Sequence, residues 1–320
     1  MTTTDAPTVA PPPKGRRRIG DVAFAGLARG SGILILVILA GVAAFLIVQA
    51  WPSLAANTAN FITDQSWDAN VRENPAFGVG ALAFGTVLAA AIALLLATPV
   101  AIGIALFIVY YAPRRLAALL GYLVDLLAAI PSVVYGLWGI GFLAPQLVPV
   151  YEGLARNFGW IPLFAGPAST SARTILTAGI VLAVMILPII TAMSRDVFHQ
   201  VPQGHREAAL AMGATRWEMI RLAVLPFGKS GVVGGAMLGM GRALGETMAV
   251  AMILSPSLAV SWNLLQSGNQ TIAGHIALQY PEATGYGVSA LIAAGLVLFA
   301  ITLVVNMGAR YIVARGNKES

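Results

Sequence analysis

The chain has 320 residues, of which 58% are hydrophobic and 10% charged, with a mean hydropathy of +0.81. A soluble domain carries about 25% charged residues, so this composition excludes an ordinary water-facing fold and predicts that lipid is the main solvent. Cysteine is absent, which excludes disulfides and thiolate metal sites, and the net charge of +6 is distributed as a topology signal rather than as a nucleic-acid footprint.

In chain order, residues 1–28 form a Thr/Pro/Ala-rich tail holding Pro11-Pro12-Pro13 and the basic run Arg16-Arg17-Arg18. Such a composition cannot build a core and predicts a disordered, basic, cytoplasmic tail. Residues 29–315 read as a transmembrane domain with its core at 77–310. Six apolar stretches lie near 30–50, 77–110, 116–144, 173–198, 228–254 and 286–312, each reaching the roughly 20 residues that cross the hydrocarbon as a helix. The first follows a basic run and precedes Ser53-Leu54-Ala55, as a signal peptide would. Its length exceeds a signal-peptide core of about 7–15 residues, so a retained helix is expected.

Fifteen of the Lys and Arg residues fall in the two tails and in the loops after the second and fourth stretches. The alternate loops carry only Arg72, Arg156 and Arg173 together with Trp51, Trp67, Trp160 and Trp262. Both termini are therefore expected in the cytoplasm, with the tryptophans in an interfacial belt on the far side. His199, His205 and His275 show no metal-ligand spacing; surface or loop roles are expected of them, and no metal site.

The loop at 199–227 is long and amphipathic. Pro202 and Gly204 precede a helical run, Gly213 breaks it, and Thr215 is placed to cap a second short helix. Ala208, Ala209 and Gly213 offer a small-residue surface for close packing against another protein, the alternative being a helix lying on the membrane surface. Gly228-Lys229-Ser230 mimics the end of a phosphate-binding loop, but the first glycine of that motif would fall at Ala223 and the run opens a membrane helix. No ATP site is expected on this chain.

The fifth stretch spaces Gly231, Gly235 and Gly239 four apart, and Gly241 and Gly245 likewise, a pattern that lets helices approach closely. Arg242 and Glu246 sit near its middle, where an isolated charge costs at least about 2.5–3.5 kcal/mol. At i and i+4 they share a helix face and can pair. The arginine fork suits a tetrahedral oxyanion, while Glu246 could hold that fork between transport steps; a clamp to a partner subunit is the structural alternative. In the third stretch Pro131 predicts a kink that frees backbone carbonyls, which Ser132 and Tyr135 could satisfy or which they could flank in a pathway. Asp125 lies either in the pathway or near the cytoplasmic interface.

Glu207-Ala208-Ala209, Gly213 and Leu225-Pro226 resemble the EAA signature of bacterial ABC importer permeases, with Ala223 where that family usually has isoleucine. Arg242-Ala-Leu-Gly-Glu246-Thr247-Met-Ala-Val and Ala129-Ile-Pro-Ser132-Val-Val-Tyr135-Gly136 resemble signatures of the PstC-type phosphate permeases. The resemblance implies an all-α polytopic fold of six helices, the type I ABC importer permease fold, in a bacterial inner membrane. It implies coupling to an ATPase through Glu207, Ala208, Ala209 and Gly213, and a pathway lined by Arg242, Glu246, Thr247, Ser132 and Tyr135. A PstA-type permease, two ATPase subunits that use ATP and magnesium, an extracytoplasmic phosphate-binding protein, inorganic phosphate and membrane lipid are the implied partners. This chain itself would be no enzyme and bind no cofactor. Sulfate, molybdate or phosphonate are alternative substrates. An ion-coupled secondary transporter and a phospholipid-processing enzyme are rivals that explain the loop less well, the latter because no nucleophile or metal cluster assembles.

Overall fold

The computed structural model describes residues 19–71 and 73–316. Helix α1 runs from Ile19 to Ala56, so ten residues of the segment expected to be a disordered tail are helical; Ile19, Val22, Phe24 and Leu27 already provide apolar character, and Asp21 suits a first helical turn. The tail's Arg16–Arg18, and Arg72 of the following loop, lie outside the described residues. Residues up to Phe45 form a unit of their own. Its helix carries exposed apolar side chains all round, including Ile33, Leu36 and Val37, the surface expected of a helix solvated by lipid.

The second unit begins at Leu46. A short hairpin, β1 (Trp67–Asp68) with β2 (Ala76–Phe77), leads to α2 (Gly80–Leu106), which ends in a wide π turn, Phe107–Tyr111. Next come α3 (Arg114–Ala128), α4 (Ser132–Trp138), a second π turn (Gly139–Leu143) and α5 (Ala144–Phe158). Helix α6 (Ile175–His199) is followed by α7 (Gln203–Ala211), α8 (Arg216–Met219), a third π turn (Ile220–Val224) and α9 (Leu225–Leu244). The chain closes with α10 (Met248–Ile253), α11 (Ile272–Gln279) and α12 (Gly287–Gly316).

Among the described residues six helical segments are long and apolar enough to cross a membrane, as expected, but two have different bounds. The third expected stretch, 116–144, is divided at Pro131, and the continuous apolar segment runs over Ser132–Phe158. The fifth begins at Arg216 and stops at Leu244 instead of covering 228–254.

Helix α6 forms the centre of the second unit, packed chiefly against α2 and α9. Small residues make this possible. Ala89, Ala93, Ala97, Ala101 and Ala105 recur every fourth residue of α2, and all are at most 1% exposed. On α9 a Cβ at Gly235 would lie 2.9 Å from Met193 Cβ, and one at Gly239 would lie 3.0 Å from Ile190 Cγ1. Those glycines are packing residues, as their spacing predicts. Gly241 is not: nothing from the rest of the chain approaches the position its Cβ would take.

The connecting segments gather by side. Thr174 bridges to Ser267, Leu264 donates to the Leu163 carbonyl at 2.9 Å, and Thr284 donates to Asn70 at 3.0 Å. At the other end Tyr110 donates to the Phe198 carbonyl at 2.9 Å. His275 departs from the expected surface role. It is 4% exposed on α11, edge-on to Trp67 at 4.5 Å, and burial pushes its imidazole down to about 4. The segment is the helix α11, whose first turn buries Ile272, Ala273 and Gly274, and the histidine goes in with them. Among the described residues no group of three potential metal ligands forms.

Candidate substrate pathway and coupling surface

Two interrupted helices meet in the second unit. The first interruption follows α9. Gly245 adopts φ −92° and ψ 0°, and only Gly245 N–H to Gly241 (3.3 Å) and Glu246 N–H to Ala243 (3.4 Å) continue the ladder before α10 starts. Glycines at 241 and 245 leave little to favour helix there. The Thr247 hydroxyl donates to the freed Gly245 carbonyl at 3.2 Å. Glu246, 7% exposed, turns its carboxylate onto α10 and accepts from Ala249 N–H at 3.1 Å. A carboxylate at a helix N-terminus satisfies an orphan donor and complements the dipole.

This corrects the expected i, i+4 pairing. The break turns Glu246 out of the register of α9, and the ion pairs among the described residues are those of Arg195 with Asp125 (3.5 Å) and Asp196 (3.3 Å). Arg242 keeps its Nε buried with no hydrogen-bond partner. A charged donor left so costs more than the roughly 1–3 kcal/mol of a neutral one, so an acceptor for it is expected.

The second interruption lies between α3 and α4. Pro131 sits at φ −59° and ψ 139°, and the Tyr135 hydroxyl reaches back across it to the Leu127 carbonyl at 2.9 Å. Tyr135 is thus the satisfier of a freed carbonyl, one of its two expected roles. Ser132 is half-buried at the first residue of α4, one turn from Tyr135. The interruptions are held together by Gly136: a Cβ there would meet the Ala249 Cα at 2.9 Å and Met252 Sδ at 3.2 Å. Arg242 lies within electrostatic reach of Tyr135. Arg242, Glu246, Thr247 and Tyr135 therefore converge, with Ser132 at the edge. A separate groove of about 830 Å³ between α9 and α12 is lined by Ser230, Gly234, Gly241, Asn306 and Arg310, the open-faced glycines of α9 among them, and by none of the four converging residues. Asp125 stands apart, exposed, in its ion pair with Arg195.

At the other end, α7 carries Glu207 and Ala208 exposed and Ala209 buried. Gly213 takes φ +86°, a left-handed conformation that suits glycine, and lets the chain reverse. Thr215 and Glu218 then form a reciprocal capping box, Glu218 N–H to Thr215 Oγ1 at 3.3 Å and Thr215 N–H to Glu218 Oε2 at 2.7 Å. The expected second short helix is α8, capped by Thr215, and it runs on through the π turn into α9. Pro226 is the second residue of α9, directly after the π turn. Between α7 and α9 lies a groove of about 800 Å³ lined by Gly204, Ala208, Ala209, Met212, Leu222 and Ala223. Met212 is 82% exposed and Leu222 66%, an apolar surface of the kind that marks contact with another protein or with the membrane. Arg206 braces α7 against Tyr110, 5.5 Å over its ring.

One participant escaped the sequence reading. Arg173, taken as a loop charge, is half-buried and donates to the carbonyls of Ile253 (Nε, 3.3 Å), Met252 (NH2, 3.4 Å) and Leu254 (NH2, 3.1 Å) at the end of α10. A signal existed. A cation directly before the N-cap Thr174 opposes the dipole of α6, so its partner had to lie elsewhere.

Residues 97–317 match the family described as the binding-protein-dependent transport system inner membrane component. The chain is 50% identical over 297 residues to the phosphate transport system permease protein PstC 2 of Mycobacterium tuberculosis, covering 90% of each chain. It belongs to the PstC-type permeases. The PstC of Mesorhizobium japonicum is 41% identical over 306 residues, 94% of this chain and 92% of that protein. Among solved structures, the inward-facing MetNI methionine ABC transporter matches with TM-score 0.51 at 18% identity, over 72% of this chain and 94% of its own. A bacterial alginate ABC transporter, in complex with a periplasmic protein carrying alginate pentasaccharide, matches with TM-score 0.53 at 18% identity, over 73% and 78%. These likenesses give the type I ABC importer permease fold. The permease is a multi-pass inner-membrane transport subunit, which removes the secondary-transporter and lipid-enzyme readings.

Proposed function

We propose that this permease forms half of the translocation pathway of an ATP-driven importer for inorganic phosphate. The observation that carries the reading is Arg242, half-buried in the last turn of α9 beside a helix interruption, with a buried and unpartnered Nε. Phosphate transport by relatives up to 50% identical supports the substrate. A planar fork of donors that stays charged at any relevant pH matches a tetrahedral oxyanion, and an interrupted membrane helix is where such charges are tolerated. In this mechanism an extracytoplasmic binding protein delivers phosphate to the paired permeases, this chain and a PstA-type partner. Two ATPase subunits, using ATP and magnesium, engage the groove beside Glu207, Ala208, Ala209 and Gly213 from the cytoplasm, the side of both termini. Their movement switches access, and Arg242 attracts the anion as it passes Thr247, Ser132 and Tyr135. Glu246 fixes the half-helix that borders this passage.

The test is uptake of labelled phosphate and sulfate in cells lacking the chain and complemented with wild type, Arg242→Gln or Glu207→Lys at matched membrane levels. Phosphate uptake restored by wild type alone is expected. Sulfate uptake instead of phosphate would overturn the substrate, and normal transport by Arg242→Gln would overturn the site.

A further inference from the structure

Helix α10 has six residues, too few to persist unaided. Its two ends are nevertheless held by opposite charges. Glu246 accepts from Ala249 N–H at 3.1 Å at the first turn, and Arg173 spreads its guanidinium over the carbonyls of Met252, Ile253 and Leu254 at the last. Both placements complement the helix dipole, and the guanidinium takes up carbonyls that a helix end leaves without partners. Arg173 is itself fixed, because the next residue, Thr174, caps α6 by accepting from Thr177 N–H and bridges to Ser267. The central helix of the fold is thereby tied to the C-terminal end of the half-helix, whose side already packs against α4 at Gly136.

We propose that Arg173 is a positioning residue for transport: by gripping the C-terminal carbonyls of α10 it sets where the break presents Arg242, Glu246 and Thr247 to the pathway. The inference rests on Arg242 and Glu246 belonging to the pathway. Its mechanical half is nevertheless measurable without any substrate. Guanidinium is suited to the task, since three carbonyls converge on two of its nitrogens; an ammonium is a point donor that cannot span them in the same way.

The native chain has no cysteine, so a single reporter can be placed without background from this chain. A spin label at Met248→Cys, an exposed position of α10, and one at Leu238→Cys, an exposed position of α9 before the break, are compared in the purified permease complex with Arg173, Arg173→Gln and Arg173→Lys. Arg173→Gln should raise mobility at 248 and leave 238 unchanged, with Arg173→Lys between them. In cells carrying the unlabelled chains at equal membrane levels, Arg173→Gln should lower the maximal rate of phosphate uptake about tenfold without moving its half-saturating concentration, and lysine should recover part of it. Unchanged mobility at 248 overturns the clamp. Raised mobility with wild-type uptake overturns the positioning role while leaving the phosphate reading intact. If the glutamine variant fails to reach the membrane, the lysine variant decides, and its equality with wild type at both readouts overturns the proposal.

Discussion

Exchanging the two charges at the α9–α10 break, Arg242→Glu with Glu246→Arg, separates two roles that single substitutions confuse. If the residues acted as an ion pair, the exchange would preserve it. The geometry instead gives Glu246 a bond to Ala249 N–H at 3.1 Å with 7% of the residue exposed. Losing a side-chain cap costs about 1 kcal/mol, and losing a partly buried charge from a helix N-terminus costs up to about 2 kcal/mol. Glu246→Ala should therefore forfeit about 3 kcal/mol of docking for α10, roughly a hundredfold in population. Glu246→Gln keeps an acceptor and loses the charge, so it should lie about tenfold closer to wild type. The exchanged protein should be worse than either, because a guanidinium would now face the positive end of α10. The assay is initial phosphate uptake in cells lacking the chain, at matched membrane levels. Recovery by the exchanged protein to within about threefold of wild type would refute the cap and restore the pair.

Gly136→Ala should weaken the α4–α10 contact by about 1–3 kcal/mol, because its Cβ would lie 2.9 Å from the Ala249 backbone; a lowered melting temperature of the purified complex together with reduced uptake checks it. Gly213→Ala forces a side chain into φ +86° at a cost of about 1–2 kcal/mol, and Thr215→Ala removes the capping box for about 1 kcal/mol more. Each should lower uptake per ATP hydrolysed in reconstituted vesicles while the permease still reaches the membrane. His275 is held at about 4 against an ordinary 6.5, so the unfolded chain binds the extra proton between these values. Stability from this residue is present above pH 6.5 and is lost as pH falls toward 4, by about 3 kcal/mol in all, a slope that His275→Gln should flatten in thermal melts across that range.

How much of this was legible depended on the length scale of the signal. Six spans could be read because a run of about twenty apolar residues is seldom stable anywhere but in lipid, and the EAA-like loop because Gly213 and Thr215 each dictate a local backbone state. The break at Gly245 was not legible in the same way. In a membrane helix glycine serves close packing at Gly235 and Gly239 but interruption at Gly241 and Gly245, and only neighbours in space decide between them. Arg242 and Glu246 were found by the cost of charge in lipid, while their mutual relation was misread because i, i+4 geometry assumes the unbroken helix. Arg173 was overlooked because its partners are backbone carbonyls, which leave no trace in side-chain spacing.

The π turn at Ile220–Val224, where Leu225 N–H reaches back five residues to Ile220, accommodates one residue more than a regular turn would. Each helical residue advances the azimuth by about 100°, so this surplus residue sets the rotational phase between the Glu207 loop and everything on α9. Deleting a residue from 220–224 would keep every side chain of the pathway and its local chemistry, yet swing Arg242 about a quarter-circle away from Tyr135 relative to the loop below. The distance from the α7–α9 groove to Arg242 is thus spanned by a part whose phase is counted in single residues, and length changes there should be tolerated far less than substitutions.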